Sequence, residues 1–410
     1  MTSSGRLTTR EQVLLKATIL VAVGLWIFSP AFNGDWIWDD SMLVADNETL
    51  RSLAGLGRIW FAAPATDYWP VTWTFLWVGW HLWGAHTLGY HLCSVALHLT
   101  SAFLIWRLLG KLGLRWGWLG GLVFVVHPLA VESVAWVSEI KNTISLPFFL
   151  LSLNAYIDAD QGEKKRAYGY SLLFYLLAML CKSSVVMFPV DLLLYHWWRH
   201  GRVTWLNARR MLPYFAIAMA LGGVTLYFQT SHYPEIEVVR DRGIFARLVG
   251  ASAAICVYLG KFILPIDLVP IYPRWNLNPP SLARILTLPL LALMLPVLWT
   301  RRKTWGRHAL LGVGFFLINL LPVIGLCRMT WMNISWVADH LVYLPMIGLV
   351  GCAVAGLETM HRSLSRAARP WLLAAITALI VLMARESHWY AGMFVNLKTL
   401  RTLTVQRDWN

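Results

Sequence analysis

The chain has 410 residues, 58% of them hydrophobic and only 14% charged, with a formal net charge of +14. Apolar runs near the roughly 20 residues needed to cross a bilayer recur along it, so the class is a polytopic α-helical membrane protein. The basic excess is spread through short loops, where it reports membrane orientation and argues against a nucleic-acid partner. The five cysteines (Cys93, Cys181, Cys256, Cys327 and Cys352) are widely spaced with no CxxC pair, which excludes a disulfide framework and a zinc-ribbon type of site.

The first apolar run, Val13 to Phe32, follows Arg6, Arg10 and Lys16 and lacks a small-residue cleavage site before the acidic loop. A retained helix is expected, not a signal peptide. Trp36-Ile37-Trp38-Asp39-Asp40 comes next and opens a long, Trp-rich connection, 33–83, expected to form short helices in the headgroup region, where tryptophan is favoured.

Six basic clusters should share the cytoplasmic side: Arg6 to Lys16, Arg107 to Arg115, Lys164 to Arg166, Arg199 to Arg210, Arg301 to Arg307 and Arg362 to Arg369. Each neighbouring pair must be separated by an even number of crossings. The interval from Met211 to Thr300 holds three apolar segments, roughly 211–229, 247–264 and 283–300, so one should not cross. The segment 247–264, between a polar stretch and the Pro-rich stretch Pro265 to Pro280, is expected to be re-entrant or surface-lying. With a last segment at 370–385, the fold class is all-α with about 11 crossings. The N-terminus is then cytoplasmic and the active face outside, with a catalytic domain at 1–385 and a short outer tail at 386–410.

The chemistry-bearing residues gather at the outer ends. Asp39 and Asp40 diverge from one another on any regular backbone, so one can act as general base and the other as an orienting group or a ligand for a divalent metal such as Mg or Mn. In His127 to Asn142, Pro128 suits a first helical turn, and a continuous helix would set Glu132, Trp136 and Glu139 on one face as a sugar-facing wall. Lys141, Lys182, Arg274 and Arg328 break the positive-inside pattern, and a phosphate or an acidic side chain is the expected partner of each. Asp339, His340 and Tyr343 open the next-to-last segment from the same side. No P-loop, GxSxG elbow or HExxH motif is present.

Taken in order, the motifs WDD to Asn47, YWPVTW (Tyr68 to Trp73), LGYH (Leu88 to His91), HPLAVESVAWVSE (His127 to Glu139), CKSSVVMFP (Cys181 to Pro189), IYPRW (Ile271 to Trp275) and VADHLVYLP (Val337 to Pro345) form a set. Together they resemble the membrane domain of the transmembrane and tetratricopeptide-repeat O-mannosyltransferases and their bacterial relatives. That family is similar to the GT-C glycosyltransferases, which take sugar from a polyprenyl phosphate outside the cytoplasm. The resemblance implies that Asp39 or Asp40 is the base. It also implies that the outer basic residues attend the lipid phosphate. Some of Lys182, Arg274, His340 and Lys141 are expected to stabilise the leaving phosphate, Glu132 and Asp339 are second candidates for orienting substrate or binding a metal, and Tyr343 and His127 are further substrate-binding candidates. Ala130 and Ile140 depart from the family's polar and basic choices, and the sequence has no 34-residue periodicity, so a protein acceptor does not follow from the resemblance.

The expected function is transfer of a sugar, with inversion, from a polyprenyl-phosphate donor to a hydroxyl acceptor at the periplasmic face of a bacterial-type inner membrane. The rival readings are a catalytically silent membrane partner and a lipid or sugar transporter or flippase. The latter should show internal repeats and mid-membrane charges.

Overall fold

The structure is a computed structural model that describes residues 8–62, 67–162, 166–232, 243–326 and 330–408. Arg328, Cys327 and most of the stretch 230–243 that figured in the sequence reading lie outside these residues. The described chain is helical, with no strand beyond an isolated bridge. In order the helices are α1 (Thr9–Phe28), α2 (Leu53–Phe61), α3 (Pro70–Trp83), α4 (Leu88–Lys111), α5 (Gly117–Val126), α6 (Val131–Ala135), α7 (Ile140–Asp160), α8 (Ala167–Cys181) and α9 (Phe188–His200). They continue as α10 (Trp205–His232), α11 (Ile244–Ile263), α12 (Leu282–Ile285), α13 (Thr287–Thr300), α14 (Gly306–Leu320), α15 (Met346–Ser363), α16 (Arg369–Ala391) and α17 (Leu397–Asp408).

Local sequence explains the starts and breaks. Thr8 and Glu11 close a reciprocal capping box on α1, each side chain accepting from the other's backbone N–H. Gly201, at φ 77°, ends α9 in the left-handed conformation that costs glycine least. Pro128 cannot donate into a continuing helix, so the chain bends by 63° between α5 and the segment Pro128–Ala135.

Seven helical spans among the described residues are long and apolar enough to cross a membrane, or eight if the bent pair is one span. The protein is integral to a membrane. The expected eleven crossings are not reached by this measure, because α7 carries Asn142, Asn154, Asp158 and Asp160, and α8 and α9 are short. All three segments between residues 205 and 300 meet the test, so length and composition do not single out the one near 247–264. The boundary expected at residue 385 falls inside α16, and beyond it Ser387, Tyr390, Met393 and Phe394 are buried in the main body.

The main core runs through α4, α5, α7 and α15, with α7 lying along α8 and α1 along α16. A second core matters more for the site. Val44, Leu50, Ile59, Trp73, Leu76 and Tyr90 from the first long connection and its flanking helices pack on Val137, Ile140, Ile144 and Cys181. Tryptophan N–H groups knit that connection from within, Trp60 donating to Thr74 Oγ1 at 3.0 Å and Trp77 to the Ser52 carbonyl at 2.8 Å. The connection is thus a packed layer over the start of α7.

Helices α14 and α15 approach through glycine. A Cβ on Gly348 would sit 2.2 Å from the Gly312 carbonyl oxygen, and one on Gly312 would sit 2.4 Å from that of Gly348. Backbone cannot move aside as a side-chain tip can, so Gly348→Val should destabilise the protein by about 1–3 kcal/mol. Gly169→Ala, which meets nothing within 4 Å, should not. Melting of the two purified variants in detergent measures the contrast, and equal melting points would refute the close-packing account.

Candidate active site

Three short structural accidents build the site. The first is the turn before the acidic pair: Trp38 has φ 46°, a conformation that bulky residues rarely adopt. Its ring packs edge-on against Trp136 at 5.0 Å between centroids, which holds the turn in place. The turn separates the two aspartates. Asp39 is exposed, whereas Asp40 is fully buried.

The second is a break at Trp136. The expected continuous helix does not form: α6 ends at Ala135, Trp136 is extended (φ −91°, ψ 120°), and a 3-10 turn follows at Val137–Glu139. Glu132, Trp136 and Glu139 therefore do not share one helical face. A new turn means new unpartnered N–H groups at its start. That of Ser138 donates to Asp40 Oδ1 at 2.7 Å, and the Ser138 hydroxyl donates to the same oxygen through a short hydrogen bond. Asp40 Oδ2 accepts from Ile37 N–H at 3.1 Å. Burial raises the Asp40 carboxyl to about 6, against the lowering effect of these donors.

The third is a 3-10 turn at Asp339–Leu341, and the same logic applies. The His340 N–H donates to Glu132 Oε2 at 2.8 Å, and Glu132 Oε1 lies 2.9 Å from His340 Nδ1. Two buried carboxylates, Asp40 and Glu132, thus each accept a backbone N–H that a turn from a distant part of the chain leaves unpartnered.

Between them lies a charged cluster centred on Glu139. Its Oε1 is 2.7 Å from Lys141 Nζ, and its Oε2 is 3.4 Å from Lys182 Nζ and 2.6 Å from Asn142 Nδ2. Lys182 also donates to Asn142 Oδ1 at 2.6 Å, and the Asn142 amide reaches the His340 carbonyl at 3.3 Å. Burial by itself would raise Glu139, but the neighbouring His340, Lys141 and Lys182 outweigh it and hold its carboxyl well below the usual range. Burial lowers Lys182 to about 8 against the pull of Glu139. Two ammonium groups converge on one carboxylate, so the trio carries a surplus positive charge suited to an anion.

The structure therefore brings together Asp40, Lys141, Lys182, Glu132 and His340. It engages the others elsewhere. His127 Nδ1 accepts from Leu129 N–H at 3.2 Å, and its ring stacks on Phe262. The Tyr343 hydroxyl is paired with His98 Nδ1 at 2.8 Å in the core. Asp339 is fully buried and accepts from Tyr272 at 2.8 Å and Tyr390 at 3.0 Å; burial and then the nearby Glu132 push its carboxyl well above the usual range. Arg274 is exposed on the connection after α11.

Sequence reasoning missed Ser138, Asn142, Tyr272 and Tyr390. Ser138 and Asn142 lie inside the stretch His127 to Asn142, yet an uncharged side chain next to two acids gives no sign that it is their partner. Tyr390 lies far along the chain, and nothing local links it to Asp339.

A carboxyl with a higher pKa folded than unfolded takes up a proton on folding. The Asp40 contribution is therefore fullest below its ordinary value of 3.8 and is lost as pH rises through about 6. Relative to Asp40→Asn, the native protein should gain thermal stability as pH falls from 7 toward 4, by at most about 3 kcal/mol. A difference in melting temperature that does not vary with pH would refute this. Ser138→Ala removes the hydroxyl but leaves the N–H, and should cost about 1–3 kcal/mol while pushing the Asp40 transition to still higher pH.

Comparison with known proteins gives this arrangement a setting. Residues 67–228 match the family model described as dolichyl-phosphate-mannose-protein mannosyltransferase. The chain is 27% identical over 200 residues to the mouse protein O-mannosyl-transferase TMTC4, covering 40% of this chain and 26% of that protein. It is 28% identical over 171 residues to mouse TMTC2, covering 37% and 20%. The matched stretch thus spans about a quarter or less of these relatives' length. Among solved structures, ArnT from Cupriavidus metallidurans bound to undecaprenyl phosphate aligns over 98% of this chain and 78% of its own, at 13% identity and a TM-score of 0.43. The resemblance carried by the motifs is thus met by direct comparison: residues 67–228 are similar to the mannosyltransferase family model, and parts of the chain are similar to the protein O-mannosyl-transferases.

Proposed function

We propose that the protein is a membrane glycosyltransferase that moves a sugar from a polyprenyl-phosphate-linked donor to a hydroxyl acceptor. The face carrying Asp39 and Asp40 is the outer one by the distribution of basic loops, periplasmic in a bacterial-type inner membrane. The observation that carries the reading is the adjacency of two opposite functions. Asp40 of the acidic pair is fastened to Ser138, the residue next to Glu139, on which Lys141 and Lys182 converge. A base for the acceptor and a cationic seat for the leaving phosphate then belong to one rigid unit. The names of the matched relatives, which act as O-mannosyltransferases, support the same class of reaction.

The two aspartates divide the work. Asp40, buried and holding three donors, positions the loop. Asp39, exposed beside it, takes the proton from the acceptor hydroxyl. The acceptor oxygen forms its bond to the anomeric carbon as the bond from that carbon to the phosphate oxygen breaks, with inversion. The polyprenyl phosphate leaves with its added negative charge met by Lys182 and Lys141. The buried Lys182, lowered to about 8, is also able to give up a proton near neutral pH.

Transfer of radiolabelled sugar from a panel of polyprenyl-phosphate sugars tests this in acceptor-rich membranes. Asp39→Asn should lower transfer at least about 100-fold with unchanged melting. Asp40→Asn should lower transfer and alter melting together. Transfer that is indifferent to Asp39→Asn would remove it as the base, and transfer indifferent to both variants would remove the site.

A further inference from the structure

At the far end of α7 from Glu139, about 30 Å along the helix axis, a second polar cluster takes no part in the proposed reaction. Asp160 closes α7, and His196 and His200 lie one turn apart in the last turns of α9. His200 Nε2 is 3.1 Å from Asp160 Oδ2, and His196 Nδ1 is 4.0 Å from Asp160 Oδ1. A ligand atom from each of the three residues lies within 4.8 Å of the others. The geometry points to a site for a late first-row divalent cation such as Zn2+, held by Asp160, His196 and His200.

The hydrogen bonds around His196 carry the argument. Thr204 Oγ1 accepts from Asn207 N–H at 3.3 Å, so its hydroxyl proton is free to go to Asn207 Oδ1 in the short contact between them. That fixes the amide with Nδ2 facing His196, where it donates to Nδ1 at 2.5 Å. His196 Nδ1 therefore carries no proton, and the ring proton sits on Nε2, 2.6 Å from the Tyr156 hydroxyl oxygen. His196 Nδ1 is thus an acceptor on the side near Asp160, and a cation bound there would take the lone pair that the Asn207 amide meets in its absence. A partner on the outer ring nitrogen, as Tyr156 is here, is the usual support of a metal-bound histidine. Tyr195 similarly holds Asp160 Oδ2 at 3.1 Å.

Two imidazoles and one carboxylate suit zinc or its neighbours and not magnesium or calcium, which prefer all-oxygen shells. Access is open on two sides. The His200 side chain is 46% exposed, while that of His196 is 1% exposed. Asp160 also lines a cavity of about 620 Å³ shared with Tyr156, Tyr168, Arg209 and Arg210. Bound metal would join the ends of α7 and α9 next to the start of α10.

Titration of the tag-free, detergent-solubilised full chain with Zn2+, followed by calorimetry, tests the site. About one equivalent should bind, with excess Mg2+ failing to compete. His200→Ala, at an exposed position where folding is not at risk, and Asp160→Asn should each weaken binding at least about tenfold. His81→Ala, at an exposed histidine elsewhere, should leave it unchanged. Absence of zinc binding by the native chain, equal affinity in His200→Ala, or displacement by Mg2+ would each overturn the assignment.

Discussion

The link from Asp40 to Ser138 is the constraint on which the rest of the site depends. A buried carboxylate is costly unless its oxygens are met by donors. Here the donors come from a backbone turn about a hundred residues away, together with Ile37 beside it. The bond therefore fixes two things at once. It pins the first long connection onto the start of α7, and it stabilises the break at Trp136 that sends Glu139, Lys141 and Asn142 into a different direction from Glu132.

Strain and break support each other across that link. The left-handed Trp38 is held by its contact with Trp136, and the extended Trp136 frees the Ser138 N–H that Asp40 takes up. A helix running unbroken from Glu132 to Glu139 would direct the Ser138 N–H back to its own preceding turn and leave Asp40 buried without its principal donor. The unusual backbone at both ends of the interaction is thus the condition for having one aspartate inside and its neighbour outside.

The charged cluster shows how a membrane protein keeps acidic groups near its core. Glu139 is bound by two lysines and an amide, Glu132 by a histidine and its backbone, and Asp339 by two tyrosines. Each acid has partners from another segment, so the cluster also serves as a clamp among α6, α7, the end of α8 and the turn before α15. Rigid placement of this kind is what the proposed transfer needs at the point where charge develops.

The sequence by itself determined the class. Apolar runs of membrane length, cations sorted by segment and acids gathered near segment ends follow from hydropathy and charge, which are properties of single residues summed along the chain. It also marked the stretches where charged residues gather, since charged residues in so apolar a chain need a reason. Only the tertiary structure decided which of those residues meet. Asp39 and Asp40 are adjacent and chemically identical, yet a single positive φ buries one and exposes the other. His127 and Tyr343 look as reactive in sequence as His340, but they are engaged by Phe262 and His98, which come from other helices. Asp160, His196 and His200 are separated by a whole helix and sit together because α7 and α9 end at the same level. Partnership across the fold depends on packing between distant segments, and no local pattern of residues encodes it.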